Sequence, residues 1–285
     1  MTTLTQQEFD LWAKYIYHLT GIALSQEKAY LIESRLHGLL QEYACPSFSH
    51  LYSRVCQETS RSLQNAIIDR ITTQETFFFR NEAPFDVFKY KILPDLIDSR
   101  EKTPSKTGPI PIRIWSAGCS TGQEVYSIAI SLHEMLGSSQ EYKLRILGTD
   151  ISDAVLARAS AGVYTSFEIE RGFNESRLAA YVHQEKNKWR ICDQIRSMVS
   201  FKRHNLFHPF SHLGVFDIIF CRNVAIYFSR QDKKQFFSRL AKVLAADGYL
   251  ILGSSESLTG IAPQFTPRRY LRAVYYQLQT DKNLL

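Results

Sequence analysis

Ile112-Arg113-Ile114-Trp115-Ser116-Ala117 is an apolar, β-type run. It feeds a loop of small residues, Gly118-Cys119-Ser120-Thr121-Gly122, and then Gln123-Glu124 at the head of a helical pattern from Val125 to Leu136. A second apolar run, Leu144 to Leu147, ends in Gly148-Thr149-Asp150. Glycines in such a loop let backbone approach a ligand, and a carboxylate at the next strand tip can accept from two ribose hydroxyls. The loop is not G-x-G-x-x-G, which disfavours a dinucleotide. A looser loop with an acid at the second strand tip suits S-adenosylmethionine, which carries a ribose and no phosphate. Two further runs, Met198 to Phe201 and Phe216 to Phe220, lead to Asn205-Leu206 and to Cys221-Arg222-Asn223. Ligands of open α/β sheets lie at the carboxyl ends of the strands, near the switch point in strand order, so these tips should converge. Asp150 would then take the ribose, Asn205 the adenine edge and Leu206 a ring face. Asp and Asn alone are ordinary turn residues; their joint placement after successive strands carries the reading.

Those tips need a parallel sheet, and the pattern from residue 112 onward supplies an α/β alternation. It pauses over 160–198, which reads as an inserted excursion with a short antiparallel ribbon. A helix over Gln231–Ala245, an Asp247-Gly248 turn, a strand from Tyr249 to Leu252 and a closing edge strand from Tyr270 to Leu278 complete the prediction. Residues 4–70 read as helices, with Leu11, Tyr15 and Leu19, then Leu31, Leu36, Leu39 and Leu40, at three-to-four spacing. Thr5 and Glu8 suit a capping box, and Gly21 and Cys45-Pro46-Ser47 punctuate. Another helix follows Pro84 and ends near Leu96-Ile97, with a polar linker over 98–111. Two domains are expected: 1–70, all helical, and 71–285, the cofactor-binding domain that carries the insertion.

Composition bounds the function loosely. The chain has 285 residues, 45% of them hydrophobic, enough for a sizeable core. The net charge is +6, but residues 1–70 hold six Lys/Arg against seven acids, so the surplus lies in the remainder. Five cysteines without a C-x-x-C pair argue against a disulfide framework or a zinc site. No secretory leader and no membrane-length apolar run is visible, so a soluble, cytoplasmic protein is expected, with no metal, no membrane insertion and no nucleic-acid partner.

Thr72-Thr73-Gln74-Glu75-Thr76-Phe77-Phe78-Phe79-Arg80 precedes the sheet. Physics alone leaves this run open between a buried aromatic cluster and a site. In order, the chain contains Thr-Thr-x-x-Thr-x-Phe-Phe-Arg, Ile-Trp-Ser-Ala-Gly-Cys-Ser-Thr-Gly-x-Glu, Gly-Thr-Asp-Ile-Ser, Phe-Cys-Arg-Asn-Val-x-Ile-Tyr-Phe and Gly-Ser-Ser-Glu-Ser-Leu. From Ile71 to Leu258 the chain thus resembles the chemotaxis receptor protein-glutamate methyltransferases, the CheR family. The resemblance implies a class I methyltransferase fold, a Rossmann-like doubly wound sheet, with an N-terminal helical domain and a small inserted β-subdomain. It implies S-adenosylmethionine as cofactor and glutamate carboxylates in a chemoreceptor's acidic helical cytoplasmic region as acceptors. Position by position, it implies Arg80 facing cofactor and acceptor, with Tyr227 near the methyl group. Gln74 and Thr76 are placed on the methionine moiety, and Gly118, Gly122 and Glu124 in the glycine loop. Asp150 falls on the ribose, Asn205 and Leu206 on adenine, and Arg222 and Asn223 in the pocket wall. Gln123 departs from the family's Glu, which implies one charge fewer near the sulfonium.

An ionised glutamate needs no general base, in keeping with the lack of a nucleophile–base pair. Arg54 and Arg61, seven apart, would share a helix face that could meet an acidic receptor helix. A nucleic-acid or small-molecule methyltransferase is the enzymatic alternative. Base-modifying amino-methyltransferases commonly carry Asn/Asp-Pro-Pro-aromatic after the fourth strand, whereas Cys221-Arg222-Asn223-Val224 stands here. A cofactor-binding adaptor without transferase activity is the alternative of another class. A monomer is expected.

Overall fold

The computed structural model describes residues 3–102 and 108–279. Helix α1 (Gln6–Thr20) opens on the expected capping box: the Glu8 N–H donates to the Thr5 hydroxyl, and the Thr5 N–H donates to the Glu8 carboxylate. The same carboxylate accepts from the Ser49 N–H at 2.8 Å, so one side chain ties the first helix to the third. Burial pushes the Glu8 pKa up, but the bonds from Thr5 and Ser49 prevail and hold it below the ordinary value. α2 (Ala29–Glu42), α3 (Phe48–Gln57) and α4 (Ser62–Ile71) follow, and a separate apolar cluster is drawn from Phe9 through Ile71.

The inward stripe of α1 is Phe9, Trp12 and Ile16; Leu11, expected inside, is 42% exposed. The stripe is displaced by one residue because the Trp12 indole reaches the Phe48 carbonyl at 3.1 Å and brings the larger ring inside. The expected shared face of Arg54 and Arg61 does not form. α3 stops at Gln57, and Arg61 caps the next helix with a left-handed backbone. The Glu58 carboxylate accepts from the Ser60 hydroxyl and the Leu63 N–H, which stabilises that break.

α5 (Glu82–Val87), a π turn (Phe88–Ile92) and α6 (Leu93–Glu101) run continuously, past the expected end near Ile97. Pro94, which lacks an N–H, is accommodated directly after the π turn. The expected linker therefore shortens, and residues 103–107 of it lie outside the described residues.

The chain then runs β1 (Ile110–Ala117), α7 (Gln123–Leu136), β2 (Tyr142–Asp150) and α8 (Asp153–Ala161). The insertion holds β3 (Val163–Tyr164), α9 (Ser166–Glu170), α10 (Glu175–Tyr181), β4 (Val182–Glu185), β5 (Lys188–Ile191) and α11 (Asp193–Arg196), with β3-β5-β4 forming an antiparallel sheet. The main fold resumes as β6 (Val199–Arg203), β7 (Phe216–Cys221), α12 (Arg230–Ala241), β8 (Leu244–Leu252), β9 (Phe265–Tyr270) and β10 (Ala273–Leu278).

The seven strands lie in the order β6-β2-β1-β7-β8-β10-β9, the first five parallel. The order reverses between β1 and β7, so the loops leaving these two strands part there and open a crevice. This is the α/β fold expected of a class I methyltransferase. Three details differ from expectation. The helix expected over Gln231–Ala245 runs Arg230–Ala241, and Leu244 and Ala245 already belong to β8. Asp247-Gly248 is not a turn but an irregularity inside β8, where the pairing jumps from Phe216–Leu244 to Ile218–Tyr249. β10 is an inner strand, and Pro267-bearing β9 takes the edge, where a missing N–H breaks no ladder.

Candidate functional site

The carboxyl ends of β1, β2, β6 and β7 meet the segment Thr72–Arg80 around a cleft with about 1010 Å³ of empty space, continuous with solvent. Gly118, Asp150, Asn205, Leu206, Arg222, Asn223 and Tyr227 all line it, as do Gln74, Thr76, Arg80 and Glu124. The helical region contributes Thr20, the last residue of α1, and Ile22, just beyond it, as its roof. Gly118 has φ +76, and a Cβ there would lie 2.4 Å from the Val224 side chain. Only glycine lets the β1 loop close against the β7 loop. The Gly118 and Cys119 N–H groups both donate to the Thr149 carbonyl, fixing that loop to β2.

Asp150 accepts from the Ser120 N–H at 2.9 Å and the Ser152 N–H at 3.1 Å. Burial raises its pKa, opposed by those backbone donors, and the nearby Asp69 raises it further. A carboxylate has about four acceptor positions, so Asp150 keeps capacity for a ribose hydroxyl. The Asn205 amide donates to the Leu19 carbonyl at 2.9 Å and accepts from the Phe207 N–H at 3.0 Å. One N–H and one lone pair remain, the pairing an adenine edge requires, beside the apolar Leu206. This donor set fits S-adenosylmethionine.

At the opposite wall, Glu124 accepts from the Ser116 hydroxyl at 2.8 Å and pairs with Arg222 at 3.0 Å. The Arg80 guanidinium donates to the Glu75 carbonyl at 2.8 Å and sits 5.6 Å from the Phe77 ring centroid. Among the described residues it has no carboxylate within ion-pair distance. Of eight non-glycine residues with positive φ among the described residues, four flank this cleft: Phe79, Asn81, Ser120 and Asn223. Such backbone is sparsely populated and tends to collect at functional sites.

Residues 74–272 match the CheR methyltransferase SAM binding domain, and residues 7–72 match the CheR methyltransferase all-alpha domain. The chain belongs to the CheR methyltransferase family. It is 35% identical to the chemotaxis protein methyltransferase Cher2 of Pseudomonas putida, over 95% of this chain and 97% of that one. It is 36% identical to chemotaxis protein methyltransferase 1 of Pseudomonas aeruginosa (90% and 93%) and 35% identical to the chemotaxis protein methyltransferase of Borreliella burgdorferi (90% of each).

In this CheR methyltransferase two residues of the glycine loop turn away from the cleft. Gly122 caps α7, and a Cβ there would meet Ala159 and the Tyr164 hydroxyl, so it serves packing on α8. Gln123 is 1% exposed; its amide accepts from the Thr121 hydroxyl at 2.7 Å and donates to Glu168 of the insertion at 3.2 Å. It does not line the cleft, so the expected missing charge near the sulfonium is corrected to a contact between α7 and the insertion.

Sequence reasoning passed over Ser120, whose N–H holds Asp150 and whose hydroxyl donates to the Gln74 carbonyl at 3.0 Å. It also gave no role to Glu256, although the Gly-Ser-Ser-Glu-Ser-Leu motif pointed at it. The Glu256 carboxylate accepts from the Asn223 N–H at 2.7 Å and the Gly253 N–H at 2.9 Å, which fixes the β7 loop. The Cys119 and Cys221 thiols are pushed well up by burial and stay protonated, as a packing role requires.

His204 lines the cleft, and burial, then the charges of His212, His208 and Lys202, push its pKa down to about 4. The folded protein therefore keeps it neutral where the unfolded chain, near 6.5, takes a proton. Between these values the unfolded state binds more protons, so this group makes stability fall with acidification, by about 3 kcal/mol in full. Urea unfolding at pH 7 and pH 4.5 should show a clearly smaller difference for His204→Gln than for wild type. Equal differences would remove His204 as the cause.

Proposed function

We propose that this CheR methyltransferase transfers the methyl group of S-adenosylmethionine to glutamate side-chain carboxylates in the helical cytoplasmic region of a chemoreceptor, leaving a glutamate methyl ester and S-adenosylhomocysteine. The observation that carries this reading is Arg80, a guanidinium in the cleft wall without a carboxylate of its own among the described residues. A negatively charged acceptor side chain is its natural complement. The names of the relatives, chemotaxis methyltransferases, support the pathway. In this reading residues 1–70 form a helical domain that roofs the cleft, and residues 71–285 are the transferase domain.

When bound, S-adenosylmethionine supplies an electrophilic methyl group on a positively charged sulfur. Asp150 would hold its ribose, Asn205 and Leu206 its adenine, and Gln74, Thr76 and Glu124 its amino-acid end. The acceptor glutamate, with a reference pKa near 4.3, is ionised at neutral pH, so the protein has no proton to remove. Its task is to orient and partly dehydrate the carboxylate, and orientation alone can supply about 7–11 kcal/mol of rate acceleration. Arg80 would contribute a charge-assisted contact of about 1.5–3 kcal/mol, and Tyr227 would border the methyl position. Arg80 should orient the acceptor without neutralising it, because too tight a grip lowers nucleophilicity.

The test is transfer of labelled methyl to an acidic receptor cytoplasmic fragment, scored as alkali-labile ester. Wild type should label the fragment, and Arg80→Ala should be slower by about 10- to 150-fold at saturating cofactor, the kinetic equivalent of that contact. A wild-type rate for Arg80→Ala would remove Arg80 from the mechanism. Label that resists alkali would point to an acceptor other than a carboxylate.

A further inference from the structure

We propose that Arg222 is the positioning residue for Arg80: it holds the backbone of the acceptor clamp. The inference rests on the proposed role of Arg80. Arg80 lies between two residues with left-handed backbone, Phe79 at φ 51 and Asn81 at φ 58. L-residues hold such angles only where surrounding structure imposes them, at about 1–3 kcal/mol each.

Two bonds impose them here. The Phe79 N–H donates to the Ser127 hydroxyl at 2.9 Å, and Ser127 donates to the Gln123 carbonyl at 2.7 Å, so the first turns of α7 hold one side. On the other side, Arg222 donates through Nη2 to the Arg80 carbonyl at 2.5 Å. Arg222 uses Nη1 on Glu124 at 3.0 Å, and Glu124 is itself held by Ser116.

Burial commits most of the Arg222 side chain to partners within the protein. Its side chain is 2% exposed, and its guanidinium lies 5.6 Å from the Phe85 ring centroid. With one face against a ring and two nitrogens committed, it serves as a brace between the β7 tip, α7 and the Arg80 turn. Its bond goes to the Arg80 peptide and not to the side chain, so it sets the direction in which the Arg80 guanidinium leaves the backbone. A guanidinium can bridge two acceptors on separate elements, whereas a lysine ammonium is a point charge without that fork.

The experiment is a double-mutant cycle of Arg80→Ala and Arg222→Lys, read as kcat for ester formation, as cofactor affinity by calorimetry, and as amide exchange across residues 79–82. Arg222→Lys should lower kcat on the order of tenfold to a hundredfold, as for a misplaced catalytic group. Cofactor affinity should stay within about threefold, amides 79–82 should exchange faster, and the double variant should be no slower than Arg80→Ala alone. Effects on kcat that multiply in the double variant, or a wild-type kcat for Arg222→Lys, would overturn the inference. So would a large loss of cofactor affinity, which would make Arg222 a direct ligand.

If wild type forms no ester, the proposed function fails and not the brace; unchanged exchange at 79–82 in Arg222→Lys would still overturn the brace. Should Arg222→Lys not fold, Arg222→Gln, whose amide can still donate to Glu124, reads the same cycle.

Discussion

Gln123→Glu should destabilise the protein by about 2–4 kcal/mol at neutral pH, although the resemblance implies Glu at this position. The side chain is 1% exposed and donates to Glu168, so a carboxylate there would face another carboxylate across 3.2 Å. Placing a charge at the first position of α7 gains roughly 0.3–1 kcal/mol from the helix dipole. An uncompensated buried charge costs about 3–5 kcal/mol, so the penalty wins. Arg158, on Glu168 at 2.7 Å, is 48% exposed, and its screened charge recovers little. Thermal unfolding should fall by about 5–12 °C for a chain of this size. The loss should shrink on acidification, as the new carboxyl takes a proton and becomes a donor to Glu168. Adding Glu168→Gln should restore most of it, since glutamine also serves the Thr165 capping box. A variant as stable as wild type at neutral pH would show that the Gln123–Glu168 contact is not what holds the insertion.

The second large effect is expected at Gly21. This residue ends α1 at φ +75, and a Cβ there would lie 2.1 Å from two ring atoms of Phe207. The ring cannot swing away freely, because it stands edge-on to Tyr17 at 5.6 Å and to Phe228 at 5.5 Å. Gly21→Ala therefore adds backbone strain of roughly 1–2 kcal/mol to a clash that must push α1 and the Asn205–Phe207 turn apart. Overpacking of this kind costs a further 1–3 kcal/mol or so. Because Asn205 is bonded to Leu19 and Leu206 borders the cleft, the displacement should also weaken S-adenosylmethionine binding by at least about tenfold. Urea unfolding and calorimetry measure the two effects. Adding Phe207→Ala should make the two substitutions less damaging together than their sum, since the ring is what the new methyl meets. Strict additivity, or undiminished cofactor affinity, would show that the roof is not coupled to the cleft through this contact.

The sequence by itself determined the order of the main strands and helices and, by local rules, the strand-tip residues of the cleft: Asp150, Asn205, Leu206, Arg222 and Asn223. Gln74, Thr76, Arg80, Glu124 and Tyr227 followed from the family resemblance. A strand that ends in Asp150, or in Cys221 directly before Arg222, presents that residue at its carboxyl end in any parallel sheet, and Thr5 with Glu8 caps a helix wherever it lies. It was also enough to expect the interruption over 160–198, because the alternation of strands and helices pauses there. Direction within the packed structure could not be read in the same way. Gln123 and Glu124 are neighbours in a loop motif, yet one faces the insertion and the other the cleft. That choice depends on Glu168, more than forty residues away in the chain, and on Arg222, almost a hundred away.

Leu11 and Trp12 were equally eligible for the core until the Phe48 carbonyl supplied a partner for the indole. Pro267 on the edge strand, the irregularity at Asp247-Gly248 and the roof built from Thr20 and Ile22 likewise arise from pairings between distant segments. Periodicity records which residues share a face of one element. Which element that face meets is decided by burial and hydrogen-bond satisfaction across the whole fold, and only the tertiary structure contains that decision.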